Sequence, residues 1–186
     1  MDNLIEESKQ GNLQALTSTQ ELRDRAKQFV EEGAVTQGYA ANKEEVINLL
    51  NAALATELVC VLRYRRHYHM AKGIHSDSVK AEFLEHAIEE MEHADRIAKR
   101  ITELGGEPDF SPKGLSERSH AQYAPGDTLE SMIKENLIAE RIAIESYREF
   151  VAYLGGDDPT TQRMLKDILS VEEEHADEMA SLLKGF

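Results

Sequence analysis

"EMEHADRI" at residues 90–97 returns as "EEEHADEM" at residues 172–179, and the shared tetrapeptide EHAD recurs 82 residues apart. In each copy a glutamate stands three residues before a histidine, Glu90 to His93 and Glu172 to His175. On a helix that spacing places a carboxylate and an imidazole on one face. A third match, Glu117 to His120, lies in a stretch rich in Pro and Gly. With 25 glutamates and seven histidines in the chain, about one such match arises by chance, and this one is read as that match.

Outward from the repeats, four long segments carry helical apolar spacing and good helix formers. The first runs from Asn42 to Lys72, opened by a capping box from Asn42 to Glu45. Its Val46, Leu49, Leu50, Ala53, Leu54, Leu58 and Val61 follow the i, i+3, i+4 rule. The second runs from Ser76 to Leu104 and stops at Gly105-Gly106. The third opens at "GDTLE" (126–130) and ends at Gly155-Gly156. The fourth opens with Asp158 as N-cap and Pro159 in its first turn, and reaches Leu183. No window alternates with period two, so no sheet is expected. A shorter helix is predicted over Ser18–Glu32, stopped by Gly33. The linker Glu103–Gly126 is long enough, when extended, to return along a whole helix. The expectation is an all-α four-helix bundle over 42–186, with a long crossover between helices two and three. Residues 1–41 form an N-terminal extension with a short helix.

Height in the hairpins separates the two repeats from chance. With the first turn centred near Ile74, Glu90 lies 16 residues after it and Glu57 lies 17 before it. With the second centred near Gly156, Glu172 lies 16 after it and Glu140 lies 16 before it. Equal distance from a turn means equal height in antiparallel helices. Each Glu-x-x-His therefore faces a lone glutamate, Glu57 or Glu140, and both of these sit in apolar stretches. Four buried carboxylates in one layer need cations or protons. Two divalent metals balance four carboxylates, with two neutral imidazoles completing the set. Oxygen-rich donors with two nitrogens suit iron or manganese better than a thiolate-seeking metal. The competing reading leaves Glu57 and Glu140 in salt bridges with Arg63 or Arg141.

Bulk properties narrow the function further. The single cysteine, Cys60, excludes an internal disulfide and a tetracysteine metal site. With no visible secretory signal and no apolar run of bilayer-spanning length, a cytoplasmic setting with no membrane partner is expected. Net charge is −14, which repels phosphate backbones and disfavours DNA binding. The first 41 residues set Lys9, Arg23, Arg25 and Lys27 against seven acids, so they form no basic arm.

The stretch Val46–Leu183 resembles bacterioferritin, a ferritin-like di-iron family. "ATELVCVLRY", "EEMEHADR", "IAERIAIE" and "EEEHAD" fall in that family's order and spacing. The resemblance implies that Glu57 and His93 hold one iron, Glu140 and His175 the other, and that Glu90 and Glu172 bridge them. It implies that Tyr64 lies beside the site as an electron donor, with an ordinary core tyrosine as the alternative. It sets Met91 where bacterioferritin has a haem-ligating methionine, so haem b between subunits is a further possible cofactor. Only eleven residues follow His175, which leaves no room for the fifth helix of 24-subunit cages. In that respect the chain looks more like the twelve-subunit, DNA-protection-during-starvation-like cages.

The implied chemistry is ferroxidation. Two iron ions per subunit are oxidised by dioxygen or hydrogen peroxide, and Fe(III) is deposited inside a homo-oligomeric cage of 12 or 24 subunits. Glu85, His86 and Glu89 lie one to two turns before His93. They are read as a solvated face, with iron transfer as the alternative. A di-metal peroxidase or catalase, rubrerythrin-like or manganese-catalase-like, and a metal-free helical module are the competing functions.

Overall fold

The structure is a computed structural model and describes residues 16–74 and 76–186. The chain divides into a unit ending at Gly38 and a unit spanning Tyr39–Phe186. In the first, helix α1 covers only Thr19–Arg25, with the Ser18 side chain accepting from the Glu21 N–H. The helix expected over Ser18–Glu32 is thus broken. After Ala26 the chain turns, Phe29 adopts a left-handed φ of 52°, and a 3-10 turn covers Val30–Glu32 before Gly33. No residue of α1 is buried, and isolated helices under about 12–15 residues are marginal without packing.

The second unit holds the long helices α2 (Lys43–Met70) and α3 (Ser76–Glu103), a short α4 (Leu115–Arg118), then α5 (Leu129–Leu154) and α6 (Pro159–Leu183). No strand occurs among the described residues. α2 packs chiefly on α3 and α5 on α6, so two hairpins form the expected four-helix bundle. Side-chain caps set the starts. Asn42 accepts from the Glu45 N–H, Thr128 and Ser131 form a reciprocal capping box, and Asp158 caps α6 ahead of Pro159. α3 stops where Gly105 takes φ 78°; at Gly106 a Cβ would come within 2.8 Å of the Ile47 side chain, so the chain needs glycine there. The core beneath the first turn joins Tyr64, Val79, Phe83, Ala87, Ile133 and Met179.

By length and composition alone, α2 is long and apolar enough to cross a membrane, with a mean hydropathy of 1.6 over its best window. Of that window, 56% is buried inside the protein. This corrects the expectation that no apolar run reaches spanning length, and the burial identifies a core helix.

The crossover differs from a plain extended linker. It contains α4, and α2 serves as its rail. Asn51 Oδ1 accepts from the Asp109 N–H at 2.8 Å, and Thr56 Oγ1 accepts from the His120 N–H at 3.0 Å. Arg63 donates to the Gln122 carbonyl at 3.1 Å, and His67 Nε2 lies 2.9 Å from the Pro125 carbonyl. Glu117 and His120 are exposed, apart from the bundle interior.

Burial, aided by the neighbouring Arg63 charge, lowers the His67 pKa from 6.5 to about 4. Between those values the unfolded chain binds a proton that the folded one does not. Stability tied to His67 is therefore complete above pH 6.5 and is lost as pH falls toward 4, by on the order of 2–3 kcal/mol. Denaturant unfolding of metal-free His67→Gln between pH 7 and 4 is expected to show a shallower loss than wild type. Equal slopes would contradict this.

Candidate metal centre

Four helices bring six side chains to one level inside the bundle: Glu57 from α2, Glu90 and His93 from α3, Glu140 from α5, Glu172 and His175 from α6. None is more than 3% exposed. Ligating atoms of Glu57, Glu90, His93 and Glu172 all lie within 4.8 Å of one another, as do those of Glu90, Glu140, Glu172 and His175. The two groups share Glu90 and Glu172. Both imidazoles turn Nδ1 inward. His93 Nδ1 is 2.9 Å from Glu172 Oε1 and 3.4 Å from Glu57 Oε2; His175 Nδ1 is 3.8 Å from Glu172 Oε2 and 3.9 Å from Glu90 Oε1.

A tyrosine holds each lone glutamate from across the bundle. Tyr64 on α2 donates to Glu140 on α5, and Tyr147 on α5 donates to Glu57 on α2. Tyr64 is thus both a core tyrosine and a neighbour of the cluster. Tyr147 has no counterpart in the sequence reading. Its signal was the seven-residue step from Glu57 to Tyr64, which recurs from Glu140 to Tyr147. Outside the imidazoles, His175 Nε2 lies 2.7 Å from Glu89 Oε2. Donation from Nε2–H to that carboxylate leaves the Nδ1 lone pair facing the cluster.

His86 corrects the expectation of a solvated face. It is 1% exposed and stacks on His175, with centroids 3.9 Å apart and rings 18° from parallel. Glu89 belongs to the centre's outer support and Glu85 is exposed, as is Met91 at 38%. The salt-bridge alternative fails for Glu57 and Glu140, since among the described residues neither pairs with Arg63 or Arg141. Arg63 is held instead by Asn136 Oδ1 at 2.8 Å and by Cys60 Sγ.

The electrostatics are those of a cation-seeking cavity. Burial pushes the Glu90 and Glu140 carboxyls well above the usual range, and the Glu172 charge adds to the push. Burial acts the same way on Glu172, but its contacts with His175 and His93 outweigh it and hold that carboxyl at about 2. Burial would lower both imidazoles; the surrounding carboxylates reverse this, raising His93 to about 10 and His175 to about 9. Protons thus occupy the place of positive charge, and a metal must displace them. Seven buried atoms of these six residues nevertheless make no well-aligned hydrogen bond: Glu57 Oε2, Glu90 Oε1, His93 Nδ1, Glu140 Oε2, both Glu172 oxygens and His175 Nδ1. Each such atom costs about 1–3 kcal/mol when left unsatisfied. Every residue of the cluster contributes at least one, all converging on the same interior space. The donor set fits a pair of hard or borderline divalent metals.

Comparison with known proteins agrees with this architecture. The chain is 30% identical over 145 residues to the "DNA protection during starvation protein" of Pyrococcus furiosus, covering 76% of this chain and 78% of that one. It is 32% identical over 139 residues to a bacterioferritin of Rhodobacter capsulatus, covering 72% and 79%. Among solved structures, the dodecameric thioferritin of Bacteroides fragilis, a bacterioferritin-related protein, superimposes with a TM-score of 0.76 at 34% identity, covering 78% of this chain and 88% of that one. The family model for the ferritin-like domain matches residues 47–186, and the chain belongs to the ferritin-like family.

Proposed function

We propose that this protein is a ferroxidase that takes Fe(II) as substrate, oxidises it with dioxygen or hydrogen peroxide, and retains Fe(III) within a homo-oligomeric cage. The observation that carries the reading is the pair of four-donor groups sharing Glu90 and Glu172. In this reading Glu57 and His93 hold one ion, Glu140 and His175 hold the other, and the two shared carboxylates span both. Each Fe(II) yields one electron to the oxidant, and the carboxylate-rich donor set favours the trivalent product. Tyr64 and Tyr147 keep the terminal carboxylates oriented, while the apolar bundle limits entry to small oxidants and ions. Manganese is accommodated by the same donors. Haem stays outside the proposal, and a Soret band in the purified protein would bring it in through Met91. The net charge of −14 draws cations and opposes contact with nucleic acid, so any protection of DNA acts by consuming iron and oxidant. A twelve-subunit cage and a cytoplasmic setting are part of the proposal. The likeness to the dodecameric Bacteroides fragilis protein supports the first, and the one buried free cysteine accords with the second.

The test is Fe(II) titration of the metal-free assembly. Saturation of a rapid oxidation phase is expected at about two ions per subunit, in a particle close to twelve times the 20.9 kDa chain mass. A monomer that oxidises Fe(II) no faster than buffer would overturn the proposal.

The hydroxyls have their own signature. Tyr147→Phe frees Glu57 and Tyr64→Phe frees Glu140, and either is expected to weaken metal binding roughly 10-fold or more. Because the two tyrosines are related by the hairpin repeat, similar losses are expected in competition titrations with a chelator. A loss confined to Tyr64→Phe would show that the crossed donation is unequal in effect.

A further inference from the structure

We propose that Glu82, His86 and Glu178 form a third divalent-cation site, at the solvent mouth between α3 and α6 and apart from the six-residue cluster. Ligating atoms of these three residues lie within 4.8 Å of one another. His86 is buried, while the Glu82 and Glu178 side chains are 36% and 52% exposed, so a fixed nitrogen at the bottom meets two carboxylates open to water.

The hydrogen bonds on His86 set its chemistry. The Tyr64 hydroxyl has one proton and gives it to Glu140, so at 3.1 Å its oxygen accepts from His86 Nδ1–H. Neutral His86 then presents the Nε2 lone pair, and Nε2 faces Glu178 Oε2 at 2.8 Å and Glu82 Oε2 at 4.0 Å. A proton on Nε2 joins this pair when no metal is bound, and a cation takes the proton's place between the same two atoms. Donors bound to one metal at about 2.0–2.2 Å stand about 3 Å apart when adjacent, which matches the closer pair. The mouth is also strongly negative. Burial and the carboxylates of Glu178, Glu85 and Glu89 raise the Glu82 pKa, and among the described residues no lysine or arginine pairs with Glu82, Glu89 or Glu178. One imidazole and two carboxylates with room for water suit Fe(II), Mn(II), Co(II) or Zn(II).

The position suggests a use. Ligating atoms of His86, Glu140 and His175 also lie within 4.8 Å of one another, so His86 belongs to the outer group and borders the inner one. For a cation on His86, Glu140 and His175 are the next donors. A hand-over to them rests on the di-iron reading, whereas the outer site stands without it.

The experiment is equilibrium Co(II) binding to the metal-free, full-length assembly, followed by calorimetry and by visible absorbance of the bound ion. Wild type is expected to take up about three ions per subunit. The double variant Glu82→Gln/Glu178→Gln is expected to take up about two, with the inner spectrum unchanged. Glu57→Gln/Glu140→Gln is expected to keep the outer ion while losing inner binding. Glu178 is exposed and Glu82 half-buried, and circular dichroism checks that helix content is kept. Wild-type uptake of only two ions, or equal uptake by wild type and the outer double variant, would overturn the outer site and leave the inner reading standing. Failure of inner binding alone, with the outer ion retained in wild type, would overturn the di-iron reading instead.

Discussion

Glu90→Gln is expected to abolish rapid Fe(II) oxidation and, in the same protein, to make the metal-free form more stable. Glu90 is one of only two residues shared by the two donor groups, and a carboxamide of equal size cannot span two ions with its oxygens. Loss of residues that merely support ligands costs about 10–100-fold in affinity or activity, so removing a shared ligand should exceed 100-fold. The stability gain has a different origin. Burial and the Glu172, Glu57 and Glu140 charges push the Glu90 carboxyl far above its usual range, so holding it there opposes folding. A carboxamide is uncharged without taking up a proton, so the variant escapes that cost and its metal-free form should be the more stable. Glu172→Gln should lose activity as fully, yet lower stability, because His93 and His175 hold that carboxyl at about 2 and would be left without it. Stopped-flow absorbance of Fe(III) and scanning calorimetry of chelated protein check both halves. Oxidation at the wild-type rate in either variant would end the ferroxidase proposal, and a destabilised Glu90→Gln would show that the glutamate serves the fold.

Asp158→Ala is expected to be the most damaging single change to the fold outside the cluster. The carboxylate is 1% exposed and gathers four groups: it accepts from the Thr161 N–H at 2.9 Å and the Thr161 hydroxyl at 2.5 Å, from Arg100 at 3.1 Å, and from Tyr39 at 2.9 Å. It caps α6 and pins that start to the end of α3. Burial would raise its pKa, but these bonds outweigh burial and lower it. Its contribution is therefore present above pH 3.8 and is lost as pH falls further. Truncation removes a cap and leaves the buried Arg100 guanidinium short of its partner, a loss of about 3–5 kcal/mol. In a chain of this size that corresponds to a fall of roughly 10 °C in Tm, measured by circular dichroism on metal-free protein. Asp158→Asn, which keeps the cap and loses the charge, should fall less. A shift within 2 °C for the alanine variant, against the roughly 10 °C expected, would show that Arg100 finds compensation elsewhere.

The four long helices, the caps Asn42 and Asp158 and the common height of the six cluster residues were legible in the sequence because they depend on local quantities. The Thr128–Ser131 box that starts α5 was not named from it. Apolar spacing, an N-cap such as Asn42 or Asp158, and distance from a turn are properties of neighbouring residues. That Glu90 and Glu172 share a level with Glu57 and Glu140 was legible too, since antiparallel pairing turns residue counts into heights. Which side chains face each other across the hairpins depends on packing between distant segments. Tyr147 reaches Glu57 from another helix, ninety residues away in sequence. His86 looked like part of a charged outer face because its neighbours Glu85 and Glu89 are acidic, yet contact with His175, Tyr64 and Glu178 buries it. The extent of α1 was decided the same way. Periodicity over Ser18–Glu32 suggests a helix, but with no apolar face buried the backbone gains too little to keep it beyond Arg25.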